Sequence, residues 1–109
     1  MELERKQRTY IAQQAGVKTQ ESFETVLDEL ASVRLGKVME YGEERYDIER
    51  WTTAEETWMI FSDVYRKFIR LRQQVRRNDR AGMRETLLDL ANYAAMGVQL
   101  IDMREANEQ

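Results

Sequence analysis

The chain predicts an all-α protein, a helical bundle of three long helices preceded by a short N-terminal helix or arm, expected to associate into oligomers. Three observations carry that prediction. Its 109 residues contain no proline and only five glycines. They are rich in Glu, Arg, Leu, Ala, Met and Gln, which favour helix. Their apolar residues recur at helical spacing.

In chain order, residues 1–18 hold Leu3, Tyr10, Ile11, Ala12 and Ala15 and read as a short amphipathic helix or arm closing at Gly16. Residues 19–109 read as a single helical domain. Over 19–42, Phe23, Val26, Leu27, Leu30, Val33, Val38 and Tyr41 fall roughly along one face, and Gly42 stands where a C-terminal cap would. After the connector EERYDIERW, Thr53 and Glu56 form a capping-box signature for a helix from Ala54 to about Arg76. Trp58, Phe61, Val64, Tyr65, Phe68, Ile69, Leu71 and Val75 cover about half of it. The stretch RRNDRAG (76–82) reads as a turn, and a last helix follows from about Met83 to Arg104. All five glycines, at 16, 36, 42, 82 and 97, are expected as punctuation.

Composition excludes several chemistries. Without cysteine or histidine there are no disulfides, thiol nucleophiles or imidazole bases, and the commonest zinc ligands are missing. Any catalysis has to rest on carboxylates, amines and hydroxyls, with or without a hard metal ion. No apolar run reaches the ~20 residues of a membrane span, and the charged start MELERKQRTY lacks the apolar core of a secretory signal. A cytoplasmic location is expected.

The last helix carries the most informative pattern. At 100° per residue, Glu85, Asp89, Asn92, Met96 and Gln99 share one narrow stripe. Leu87, Leu88, Leu90, Ala91, Ala94, Ala95, Val98 and Ile101 fill a wide arc, expected to be packed from two sides. No lysine or arginine occurs between Glu85 and Met103, whereas a solvated face usually mixes charges. The stripe is either the wet edge of an amphipathic helix or the lining of a site.

Arg34 and Lys37 stand beside the inward face of the first long helix, where cations are costly unless paired. They either snorkel to water or meet Glu85, Asp89 or a bound phosphate. On the next helix Glu56, Asp63, Lys67, Arg70 and Gln74 form a strip, with Asp63 and Lys67 spaced for an i,i+4 ion pair. The charge is polarised although the net charge is only −3. Residues 66–84 hold eight bases against Asp79, and residues 21–63 hold twelve acids against four bases. An arginine-rich end suits a phosphate-bearing ligand and equally a solvated helix terminus.

KVMEYG (37–42), YRKFIRL (65–71) and ETLLDLANYA (85–94) together resemble, in order and spacing, the small phage and bacterial nucleotide modification associated domain family. That family is similar to the all-α MazG-like nucleoside triphosphate pyrophosphohydrolases. The resemblance covers roughly residues 23–103. It implies a helical nucleotide-handling domain of phage type with Lys37, Glu40, Tyr41, Lys67, Arg70, Glu85, Asp89, Asn92 and Tyr93 around the ligand. The chain departs from the pyrophosphohydrolases in its acids. Those enzymes resemble one another in setting a Glu-Glu-x-x-Glu cluster opposite Glu-x-x-Asp, so that several carboxylate oxygens converge on magnesium. Here Glu85 and Asp89 are four apart, Asn92 stands where a further acid would continue the stripe, and Glu21 with Glu24 or Glu55 with Glu56 is the nearest approach to the first cluster.

Three functions stay open. The first is a nucleotide-binding protein, of use to a phage for sequestering a nucleotide signal. In it Arg34, Lys37, Lys67 and Arg70 neutralise phosphates, Asp89 and Asn92 hydrogen-bond the base or ribose, and Tyr41, Tyr93 or Trp51 stack on the base. The second is a pyrophosphohydrolase with Mg2+ on Glu85 and Asp89 and a metal-bound water as nucleophile. The third is a homo-oligomeric interaction module whose polar stripe fixes pairing. DNA reading is disfavoured. YIAQQAGVKTQESFETVLDEL has the outline of a helix-turn-helix, yet its second helix carries Glu21, Glu24, Asp28 and Glu29 and no arginine before Arg34.

Overall fold

Local chemistry sets the helix ends around 15–19 and 77–80. In the computed structural model, which describes residues 2–41 and 54–108, all regular structure is α-helical. Within the helices the side chains of Val38, Glu40, Tyr41, residues 54–60, Arg104, Asn107 and Glu108 lie outside the description. The Gly42 cap, the Thr53–Glu56 capping box and Trp51 also fall outside the described residues or side chains. Among the described residues four helices form: α1 (Arg5–Gln14), α2 (Gln20–Tyr41), α3 (Ala54–Arg76) and α4 (Arg80–Glu108).

Two turns share one design. Gly16 takes a φ of 76°, Gly16 N donates to Gln13 O and Val17 N to Ala12 O, which closes α1 with a Schellman motif. Asn78 does the same for α3 at a φ of 53°, with Asn78 N donating to Val75 O and Asp79 N to Gln74 O. Asparagine tolerates the left-handed region better than other side chains. Asp79 then caps α4, its Oδ1 accepting the Gly82 N–H at 3.0 Å. The last helix therefore starts at Arg80, three residues before the position the sequence pattern predicts. Gly36, Gly82 and Gly97 lie inside helices and punctuate nothing. At Gly82 a Cβ would meet the Asp79 carboxylate and the Gln74 amide, the ends of two side chains that would have to shift.

The chain divides into two compact units, Met1–Val33 and Arg34–Gln109. In the first, α1 lies on the acidic side of α2. Arg8 grips Glu24 with two guanidinium nitrogens, at 2.5 and 2.8 Å, while Arg5 reaches Asp28 at 2.7 Å and Glu21 at 3.3 Å. Glu24 is 1 % exposed and Ala12 is buried. The apolar residues Phe23, Val26 and Leu27, expected inward, are exposed, because what α2 offers α1 is its row of acids.

In the second unit α3 and α4 form an antiparallel hairpin across the three-residue turn at 77–79. Its core is Tyr93, Met96 and Leu100 of α4, with Val64 and Met103 packed against them and Thr86 buried further along the seam. This corrects the helical wheel. Met96, assigned to the polar stripe, is core, whereas Leu87, Val98 and Ile101 of the wide arc are exposed. Phe61, Tyr65, Phe68 and Val75 of α3 are exposed as well. The reason is that α4 turns toward α3 the boundary between its two stripes, which buries Tyr93 together with the nearer polar positions.

Candidate functional site

Along the hairpin seam the helical repeat brings Lys67, Leu71 and Gln74 of α3 to one side, at spacings of four and three. Opposite them α4 presents Asp89, one turn before Tyr93. Lys67 Nζ donates to Asp89 Oδ2 at 3.0 Å, and the two side chains retain only 14 % and 12 % exposure. The pair joins residues 22 apart in sequence and lies where the polar stripe of α4 crosses the cationic strip of α3. Lys67 does not pair with Asp63 along α3. Asp63 takes Arg66 instead, at 3.0 Å, because Lys67 points into the seam and Arg66 points to solvent.

Other polar groups of this unit are only partly satisfied. Gln74 Oε1 and Arg34 Nε are buried and have no hydrogen-bond partner among the described residues. Each would ordinarily have one, since an unmet buried donor or acceptor costs about 1–3 kcal/mol. Arg34 belongs to the same compact unit as the hairpin. Asn92, one turn beyond Asp89, is half-buried.

The remaining sequence candidates fall into distinct settings. Lys37 is half-buried on α2 and engaged in a contact of its own. The side chains of Glu40 and Tyr41 lie outside the description. Arg70 is exposed on α3. Tyr93 is buried in the hairpin core. Glu85 is exposed at the edge of the seam, one turn from Asp89, and among the described residues no three acids gather into a metal-binding group. Glu85 and Asp89 thus supply two carboxylates of the several that magnesium prefers.

Sequence reasoning missed the ion-paired junction of α1 with α2. There the Arg8 guanidinium, with help from the Gln20 amide, holds the Glu24 carboxyl down at about 2, well below the usual carboxylate range, against the opposing effect of burial. Hydrogen bonds to Glu24 and Asp28 raise the Arg8 and Arg5 guanidinium groups in turn. The signal is present in the chain, since Glu21, Glu24 and Asp28 repeat at three and four opposite Arg5 and Arg8, also three apart. A shallow groove at this junction, lined by residues such as Thr9, Gln13, Val17 and Glu21, presents no buried unpaired polar group among the described residues.

No family model, curated protein or solved structure matches the chain. Among the described residues, no helix is long and apolar enough to cross a membrane.

Proposed function

We propose that this chain is a small helical protein that binds a phosphorylated nucleotide along the polar seam of its α3–α4 hairpin. The observation that carries the proposal is a pair of unmet polar atoms in the second unit: Arg34 Nε, a cationic donor on α2, and Gln74 Oε1, a neutral acceptor on α3, both buried and without a partner among the described residues. Arg34 Nε on α2 calls for an anion, and Gln74 Oε1 on the seam side of α3 calls for an N–H or O–H donor. A nucleotide brings both, in its phosphates and in its base or ribose. Asp89 keeps a second carboxylate oxygen beyond the one held by Lys67, and Asn92 stands beside it on the next turn. The sequence resemblance to nucleotide modification associated domains supports the same ligand class, and a phage would use such a protein to sequester a nucleotide signal.

Binding is favoured over hydrolysis. Two carboxylates hold magnesium weakly without substrate phosphates, and one of them, Asp89, already neutralises Lys67. The test compares a nucleotide with its nucleoside by titration calorimetry. Arg34→Met should weaken the phosphorylated ligand at least about tenfold more than the matching nucleoside, the loss expected of one charge-assisted contact. Equal losses for the two would remove phosphate from the reading.

A further inference from the structure

The seam uses one side of α3 and α4; a second side carries a row of exposed apolar residues on each helix. On α3 Phe61, Tyr65, Phe68 and Val75 are exposed, with Arg72 at the intervening position. On α4 Leu87, Ala91, Ala94, Val98 and Ile101 are exposed. Both rows step by four, three, four and three. That is the repeat by which a helix seats its side chains between those of a partner helix.

The rows share one side of the hairpin, as helical geometry requires. Each lies about one residue further round than the seam: Tyr65 follows Val64, Ala94 follows Tyr93, and Ile101 follows Leu100. One residue is a rotation of ~100°. Rotation in the same sense on two antiparallel helices carries both rows to the same side. The result is one apolar face with two adjacent helix-packing rows, which calls for two helices opposite it.

We infer that this face binds the same face of a second copy, giving a two-fold symmetric four-helix bundle in which the two hairpin turns lie at opposite ends. A second hairpin supplies the two helices required, with the repeat already matched to its own. Charge selects the orientation. Residues 66–84, at the turn end, hold eight bases and one acid, while the far end of α4 carries Asp102, Glu105 and Glu108 against Arg104. Turns side by side would set arginines against arginines. Turns apart set each basic end beside its partner's acidic end. In that arrangement α4 meets its counterpart running antiparallel, and the small Ala91 and Ala94 near the middle of the face permit close approach.

The chain has no cysteine, so single-cysteine variants report the pairing cleanly. Ala91→Cys, near the two-fold axis, should form a disulfide-linked dimer under mild oxidation, because Cα atoms must come within about 7 Å to be bridged. Arg77→Cys, in the turn, should not. Wild-type protein should sediment as a dimer at micromolar concentration, and Val98→Glu should raise the dissociation constant at least about a hundredfold while the far-ultraviolet helix signal persists. If Val98→Glu fails to fold, the two cysteine variants still decide. A wild-type monomer, or cross-linking through Arg77→Cys and not through Ala91→Cys, overturns the inference. So does a monomer in which Val98→Cys is shielded from thiol reagents, since the chain's own α2 would then be covering the face.

Discussion

Replacing Lys67 with methionine keeps most of the side chain's volume and removes its charge, which leaves the Asp89 carboxylate alone in the seam. At 3.0 Å and an effective dielectric near 20, the gross attraction between the two charges is about 5 kcal/mol. Desolvation of both ions offsets most of it. Breaking a fully buried pair costs about 3–5 kcal/mol. With 14 % and 12 % of the side chains still reached by water, Lys67→Met should cost about 2–3 kcal/mol. The double variant Lys67→Met with Asp89→Leu removes both charges and fills the space with apolar atoms, so it should lie within about 1 kcal/mol of the wild type. Urea unfolding followed by far-ultraviolet circular dichroism measures all four corners of the cycle. Recovery of about 2 kcal/mol in the double variant is expected. Additive losses, with no coupling, would refute the claim that the pair acts as a unit across the seam.

Other perturbations test the parts around it. Asp79→Ala deletes the N-cap of α4 and should cost about 1 kcal/mol in the same assay; no loss would mean that the helix start is held elsewhere. Leu100→Ala empties a wholly buried position in the hairpin core and should cost about 2–5 kcal/mol, whereas Leu87→Ala, exposed in a single copy, should cost far less under conditions where the protein is monomeric. Glu24 has its folded pKa lowered to about 2, so the folded clamp binds fewer protons than the unfolded chain and is favoured as pH rises. Its contribution is complete above the usual carboxylate range and is lost as pH falls toward about 2. Nuclear magnetic resonance shifts of the α1 amides should follow that titration, and Glu24→Gln should abolish it. Shifts that titrate unchanged in the variant would assign the effect to another acid.

Much of the fold is legible in the sequence, and most of the misses share one cause. The span Ala54–Arg76 and the helical class follow directly, because lack of proline and helical periodicity are local signals. The meeting of an α3 cation with Asp89 is visible beforehand only as a pair of polar stripes. Periodicity says which residues share a face; it does not say what lies opposite. For the same reason a helical wheel puts Met96 on a polar stripe and Leu87, Val98 and Ile101 inside, when α4 in fact presents to α3 the boundary between them. The start of α4 is misplaced when Asn78 and Asp79 are read as generic turn residues, since Asn78 supplies the left-handed backbone and Asp79 the cap. The acids of α2 look solvated because the partner arginines lie on a separate short helix, and only folding shows that α1 returns to them.

The most direct measurement is a thermal-shift screen of the purified protein against nucleoside mono-, di- and triphosphates and cyclic nucleotides, each with and without Mg2+, with chromatography of any stabilising compound afterwards. Nucleotide binding along the polar seam predicts a concentration-dependent rise in melting temperature with a phosphorylated nucleotide, little rise with the corresponding nucleoside, and recovery of the ligand intact. No shift with any nucleotide would contradict it and leave the half-satisfied seam as a purely structural feature of the hairpin.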